Sequence, residues 1–189
     1  MNTSLLIAIV AVVVVLGIVA VLVGRRRRSD HLKEHFGREY EHALDVTGDR
    51  SKAEAELAER EKRVEKLELR PLDPVEREGF TNRWRDVQAR FVDDPPRAVA
   101  FADALLGEVM KARGYPVENF EQRAGDISVE HPKVVEHYRT AHDIALRHQR
   151  GEAGTEELRQ GLIHYRALFD DLIGAEAPAE GAPAREPAH

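Results

Sequence analysis

The sequence predicts an all-α protein with a single N-terminal transmembrane helix, a charged helical stalk, a compact bundle of about four main helices and a disordered C-terminal tail. Three observations support this fold class. Residues 5–23 carry no charge and are followed closely by four arginines. Apolar side chains then recur at helical spacing between proline and glycine breaks, and no stretch alternates long enough to form a strand. The predicted divisions are an anchor at residues 1–28, a stalk at 29–70, a bundle at 71–174 and a tail at 175–189.

The apolar run at residues 5–23 is the basis of the predicted anchor. As a helix it is about 28 Å long, which is enough to cross the hydrocarbon core of a bilayer. No positive charge precedes it and no small-residue cleavage site follows it, so a cleaved signal is not expected. Arginines beside a membrane helix stay mainly on the cytoplasmic side, which predicts an external N-terminus and a cytoplasmic bundle. The residues of this topology signal, which also suit anionic lipid headgroups, are Arg25, Arg26, Arg27 and Arg28.

The stalk is predicted to contain two helices. Leu32, Phe36 and Tyr40 form an apolar stripe in a helix at residues 30–47, and Gly37 weakens that helix by about 1 kcal/mol relative to alanine. A second helix is predicted to begin at Ser51, with a glutamate three residues later completing a capping box.

The bundle is marked by strong helix start and stop signals. Two Asp-Pro pairs place an N-cap before a proline at the first helical position. The predicted helix starts are Asp73, Asp94, His131 and Thr155, and the predicted stops are Gly114, Gly151 and Gly174. Residues 115–129 are predicted to be irregular or to form one short helix. The tail is rich in Ala, Pro and Glu, which predicts disorder.

Composition excludes several classes of function. Beyond the arginine cluster, 24 basic and 34 acidic residues give residues 29–189 a formal net charge of −10, which argues against nucleic acid as a partner. The absence of cysteine excludes thiol catalysis and disulfides. No phosphate-binding loop, nucleophile elbow or zinc-protease motif is present, so we expect no enzyme activity, no cofactor and no metal site. His31, His35 and His42 are interpreted as a solvated face of the stalk.

The richest polar segment is the connection at residues 113–131. Loops between rigid helices often carry function, but a loop of this kind also needs ion pairs to satisfy its own backbone and side chains. Both interpretations remain open, a binding pocket and a structural ion-pair network. The candidate residues are Arg113, Tyr115, Glu121, Arg123, Asp126 and His131. Elsewhere, the tripeptide His-Tyr-Arg occurs at 137–139 and again at 164–166, on two helices expected to be neighbours.

Four stretches resemble a family of small membrane-anchored helical proteins from high-GC Gram-positive bacteria. They are RPLDPVEREGF, WRDVQARFVDDP, RGYPVENFEQRAGDISVEHPKVVEHYRTAHDIA and TEELRQGLIHYRALFDDLI. The resemblance covers roughly residues 34–173. It implies one anchored helical module, often labelled only as a secreted or membrane protein, and it supplies no catalytic residues.

These observations lead to three functional hypotheses. The first is a non-enzymatic interaction or scaffold module tethered at the cytoplasmic membrane surface, with the lipid bilayer and either a protein partner or a second copy as its partners. The second is a small-molecule or metal-binding domain that uses residues 113–131. The third is an envelope protein exposed outside the cytoplasm.

Overall fold

The computed structural model describes residues 3–174. These residues form helices and the connections between them, and they include no strand. The predicted tail at 175–189 lies outside the described residues. The all-α prediction is confirmed for the described part of the chain. Its helices are α1 (Thr3–Phe36), α2 (Arg38–Thr47), α3 (Arg50–Val64), α4 (Pro74–Arg90), α5 (Pro95–Ala112), α6 (Phe120–Glu130), α7 (Val135–Gln149) and α8 (Thr155–Gly174). The chain divides into two compact units after Ala58.

The predicted fold class requires one correction, which concerns α1. Within the part of the chain that the structure describes, no helix offers a stretch that is both long and apolar enough to cross a membrane. From position 22 onward the side chains of α1 are described, and there the arginine cluster interrupts the apolar run. Most side chains before position 22 lie outside the described set. The structure therefore does not support the transmembrane helix predicted for residues 5–23.

Glycines divide the first unit differently from the prediction. Gly37 has φ 52°, a left-handed value that favours glycine, and it separates α1 from α2 where one helix was expected. Gly48 ends α2 with φ 63°, and its N–H donates to the Leu44 carbonyl. The predicted stripe is confirmed, because Leu32 and Phe36 are fully buried.

The start of α3 also differs from the prediction. The Asp49 carboxylate accepts a hydrogen bond of 2.9 Å from the backbone N–H of Lys52, so Asp49 and not Ser51 caps the helix. Glu54 consequently does not serve in a capping box. Its carboxylate instead accepts hydrogen bonds from side chains of the first unit.

The second unit contains the predicted bundle of four main helices, α4, α5, α7 and α8. Helix α8 packs against α5 and α7, and α4 packs against α5. The rings of Trp84 and Phe169 belong to this core and stack with centroids 4.6 Å apart. The largest fully buried side chains of the bundle are Trp84, Leu105, Leu106, Met110, Ile127, Tyr138, Leu158, Tyr165 and Phe169.

The bundle confirms most of its predicted helix boundaries. Asp73 and Glu76 form a complete capping box at α4, and the Asp94 side chain caps α5. The short helix expected within residues 115–129 is α6. The prediction for His131 was wrong, because α7 begins at Val135 and His131 lies at the C-terminal end of α6. Its side chain is buried among polar groups instead of capping a helix.

Candidate functional site

The six residues predicted for a polar pocket lie in separate ion-pair groups. Arg113, Tyr115 and His131 lie together at the ends of α5 and α6. Asp126 forms an ion pair with a side chain of α3, and Arg123 forms one with a side chain of α5. Glu121 forms an ion pair with Arg139 of α7, with 2.9 Å between the Glu121 carboxylate and Arg139 Nη1. None of the six residues lines any of four clefts of about 240–710 Å³ found elsewhere in the described chain. Several of the six residues thus form ion pairs, and the choice between a binding pocket and a structural network stays a prediction.

A buried arginine and a buried histidine form the first group. Arg113 is 2% exposed and His131 is 8% exposed. Arg113 Nη1 donates to His131 Nε2 over 3.1 Å and to the Leu172 carbonyl over 3.3 Å. The opposite ring nitrogen of His131 contacts the Asp171 carboxylate. Burial lowers the pKa of His131, which is the larger effect, while the Asp171 charge raises it.

The second group joins α3 to α6. The Asp126 side chain is fully buried, and its Oδ1 lies 2.6 Å from Arg63 Nη2 and 2.7 Å from Arg63 Nε. One residue before it, Gly125 allows close approach, since a Cβ there would lie 3.3 Å from Arg60 Nε. Arg60 Nη1 in turn lies 3.4 Å from the Ser128 hydroxyl. This group fixes the end of α3 against α6, and the sequence carries no local signal of it.

The third group surrounds Asp103 of α5. Its carboxylate accepts a hydrogen bond of 3.4 Å from Arg123 Nη2 and another of 3.3 Å from the Tyr138 hydroxyl. The Arg123 guanidinium also lies over the Tyr138 ring, 5.8 Å from its centroid. Asp103 was not among the predicted residues. An alanine-rich helix sequence around it gave no indication of its role.

The repeated His-Tyr-Arg tripeptides meet between α7 and α8. The Nδ1 atoms of His137 and His164 are 2.9 Å apart, and the ring centroids of Tyr138 and Tyr165 are 6.0 Å apart. This confirms the expectation that the two helices are neighbours. Burial lowers the pKa of His164, and the adjacent His137 lowers it further. This lowered pKa favours the uncharged imidazole of His164 at neutral pH.

A basic cleft of about 710 Å³ occupies the first unit, at the start of α3 and the polar part of α1. Its cationic side chains are Arg25, Arg26, Lys33 and Arg50, and its acidic ones are Asp30, Asp49 and Glu54. Of the predicted headgroup residues, Arg25 and Arg26 line the cleft. Arg27 and Arg28 are exposed and do not line it.

A hydrogen-bonded network forms one wall of the basic cleft. The Glu54 carboxylate accepts from the Ser29 hydroxyl at 2.6 Å, from Arg50 Nε at 2.7 Å and from the Tyr40 hydroxyl at 2.9 Å. Burial acts to raise the Glu54 pKa, but these three hydrogen bonds outweigh it, and the pKa is lowered. The network links α1, α2 and α3 and holds Arg50 at the cleft.

A groove of about 360 Å³ lies between α4 and α5. Phe101 is 42% exposed in this groove, and the Arg90 guanidinium lies 5.1 Å from its ring centroid. Arg90 and Asp86 lie one helical turn apart on α4, and neither forms an ion pair with the described residues. The groove therefore offers an apolar centre with one free charge of each sign.

In the described part of the chain, no three histidine, aspartate or glutamate side chains cluster closely enough to hold a metal ion. His31 and His35 stack with their ring centroids 5.9 Å apart. Comparison with known proteins gives no match to a family model, to a curated protein or to a solved structure. The resemblance to membrane-anchored proteins therefore remains a prediction.

Proposed function

We propose that the protein is a non-enzymatic helical interaction module that works at an anionic membrane surface, where its basic cleft binds lipid phosphate groups. The observation that carries this proposal is the convergence of Arg25, Arg26, Lys33 and Arg50 on one cleft. A lysine or arginine near an anionic surface contributes about 1 kcal/mol of binding free energy. The cytoplasmic leaflet holds most anionic lipid, which favours that side of the membrane.

Helix geometry adds to the attraction of the cleft for phosphate. The start of α3 lies at the cleft, and the first N–H groups of a helix carry a partial positive charge. Asp49, which also lines the cleft, accepts the N–H of Lys52 and already satisfies one of these N–H groups. Arg50 is held by Glu54 and contacts Ser29, so its position is fixed before a ligand arrives. Side-chain ordering on binding therefore costs little.

Vesicle flotation with the full-length protein tests the lipid proposal. We expect binding to vesicles of phosphatidylcholine mixed with phosphatidylglycerol, and a loss of about 30-fold or more in affinity for the double variant Arg25→Glu, Arg26→Glu. Arg77→Glu with Arg85→Glu on α4 makes the same change of charge away from the cleft and should bind like the wild type. Equal binding of the two double variants, or equal binding of the wild type to pure phosphatidylcholine, contradicts the proposal.

The interaction partner of the bundle is proposed to be a second copy of the chain, through the groove between α4 and α5. In a two-fold symmetric dimer each contact occurs twice: if one residue of the first copy contacts another residue of the second copy, the same two residues also meet with the copies exchanged. Arg90 and Asp86 suit this arrangement, because each charge meets its complement on the other copy while Phe101 covers its equivalent. A Phe101→Asp variant should be monomeric by light scattering. Ile163→Asp, at a similarly exposed apolar position of α8, should leave the dimer intact.

The compartment follows from the same proposal and has a separate test. A reporter active only in the cytoplasm, fused after residue 174, should be active. Activity of an external reporter at that position instead supports the alternative of an envelope protein.

A further inference from the structure

A cleft of about 240 Å³ lies in the bundle among α5, α7 and α8, apart from the basic cleft. Apolar atoms, including those of Val99, Ala145 and Leu158, supply more than half of its surface, and five of its eleven lining residues are polar. Sites for small molecules likewise combine apolar surface with polar groups that fix the orientation of the ligand. The volume suits a ligand with one ring or a short aliphatic body.

The polar groups at this cleft are incompletely satisfied. Asp103 accepts only hydrogen bonds of 3.3 and 3.4 Å from the described residues, whereas an arginine–carboxylate bond is usually about 2.7–2.9 Å. Nearby, Arg123 Nε and the Tyr165 hydroxyl are shielded from solvent and make no hydrogen bond within the described chain. Buried polar groups in folded proteins are almost always hydrogen-bonded. The Asp103 carboxylate can therefore accept a further, shorter bond from a donor placed in the cleft.

The charge of the lining indicates which donor fits. Among the described residues that line the cleft, Asp103 is the only carboxylate, and none is a lysine or an arginine. Burial lowers the pKa of His142, whose ring stacks on Phe120 with centroids 3.6 Å apart, so this imidazole is neutral at pH 7. His148 Nδ1 donates to the Ala153 carbonyl over 2.7 Å. The lining thus presents one negative charge beside aromatic and aliphatic surfaces.

We propose that this cleft binds a small organic amine, with its protonated nitrogen on the Asp103 carboxylate and its apolar body between Val99 and Leu158. An ammonium–carboxylate hydrogen bond is charge-assisted and stronger than a neutral one. Arg123 weakens the attraction because it also faces Asp103, although it is not part of the lining. A ligand carboxylate is repelled by Asp103, and a neutral alcohol can donate a hydrogen bond to Asp103 but lacks the attraction between two opposite charges.

Binding of three matched probes to the full-length protein tests this proposal. The probes are 2-phenylethylamine, 2-phenylethanol and 3-phenylpropionate, which share one ring and differ in charge. We expect titration calorimetry and saturation-transfer NMR to show the amine binding at least about tenfold tighter than the alcohol, and no binding of the acid. Equal affinity for amine and alcohol, or no detectable binding of the amine, overturns the proposal.

Two variants locate the bound amine. Asp103→Asn keeps the shape of the side chain and should abolish the preference for amine over alcohol. Ala145→Leu keeps the carboxylate but fills the cleft, and it should reduce binding of both. Asp93→Asn, an exposed carboxylate in the connection between α4 and α5, serves as the matched control and should bind like the wild type.

The result for each variant either supports or overturns the proposal that the cleft binds an amine. An amine preference that survives in Asp103→Asn, or unchanged affinity in Ala145→Leu, places the ligand elsewhere and overturns the proposal. If Asp103→Asn fails to fold by circular dichroism, Ala145→Leu alone decides the question. Neither result depends on lipid binding, since both variants are in the bundle.

Discussion

Arg113 Nη1 donates a hydrogen bond to Nε2 of His131 over 3.1 Å, and both side chains are buried. An arginine has no acceptor, so the Nε2 atom must carry its lone pair and the ring proton must reside on Nδ1, facing Asp171. The contact requires a neutral imidazole. Protonation of His131 would place a second N–H against the guanidinium inside the protein, where two like charges are strongly unfavourable.

Acid should therefore destabilise the bundle through His131. Its pKa in the folded state is below the ordinary value of 6.5, so the unfolded chain binds more protons in the window between the two values. The stability that the neutral ring contributes is fully present above pH 6.5 and is lost as the pH falls through the lowered pKa. Urea unfolding at a series of pH values should show the free energy of unfolding decreasing over this range.

A His131→Gln variant isolates this contribution. It should cost about 1–3 kcal/mol at pH 7.5, because Arg113 loses a buried acceptor, and its pH dependence should be shallower than that of the wild type. His142 and His164 also have lowered pKa values and maintain part of the slope. The matched control is His42→Gln on α2, in the other unit. An unchanged slope in His131→Gln would show that His131 is not the source.

Local sequence signals were sufficient to predict much of the bundle. Asp73 and Asp94 were found because a cap and the proline after it are adjacent in the chain, and each acts on backbone within one helical turn. The buried stripe of α8 was found because residues such as Leu158 and Tyr165 repeat at helical spacing. Such signals are independent of the rest of the fold.

The polar groups could not be predicted in the same way. Arg63 and Asp126 are distant in sequence, and nothing near either residue indicates its partner. His131 precedes a proline and resembled a cap, whereas its position is decided by Arg113 and Asp171 on other helices. Pairings of this kind depend on tertiary packing, which overrides local preference.

The Asp126–Arg63 pair should stabilise the protein more than an exposed pair of similar geometry. Asp126 is fully buried, although Arg63 is 42% exposed, so Asp126→Asn weakens a charge-assisted bond whose acceptor is shielded from water, at a cost of about 1.5–3 kcal/mol. Glu108→Gln removes a surface pair with Arg83, whose two side chains are about half exposed. That loss should cost less than about 1 kcal/mol. Chemical denaturation of both variants measures the difference, and equal costs would refute the argument.

Gly114 should tolerate no side chain. It has φ 96°, and a Cβ at this position would lie 2.5 Å from the backbone carbonyl oxygen of Glu68, which cannot move independently of its chain. Gly114→Ala should lower the free energy of unfolding by about 2 kcal/mol or more. Gly79 in α4 has open space where a Cβ would project, so Gly79→Ala should stabilise by about 0.5–1 kcal/mol. Opposite signs in thermal unfolding are expected.

Removal of two tyrosine hydroxyls should have unequal effects. The Tyr138 hydroxyl donates to Asp103 over 3.3 Å, so Tyr138→Phe should cost about 0.5–1.5 kcal/mol. The Tyr165 hydroxyl is buried without a hydrogen bond to the described residues, although burial and then the nearby Asp103 charge both raise its pKa. Tyr165→Phe removes a polar group that is desolvated without compensation. It should be neutral or stabilising.

Urea unfolding of the two variants in ligand-free buffer distinguishes these expectations. The rings of Tyr138 and Tyr165 are neighbours on α7 and α8. The Tyr138→Phe and Tyr165→Phe variants therefore differ mainly in the hydrogen bonding of the lost hydroxyl, and less in packing. A cost for Tyr165→Phe as large as that for Tyr138→Phe would mean that Asp103 holds both hydroxyls. The carboxylate would then have less capacity to accept a bond from an amine, so this comparison also bears on the proposed ligand site.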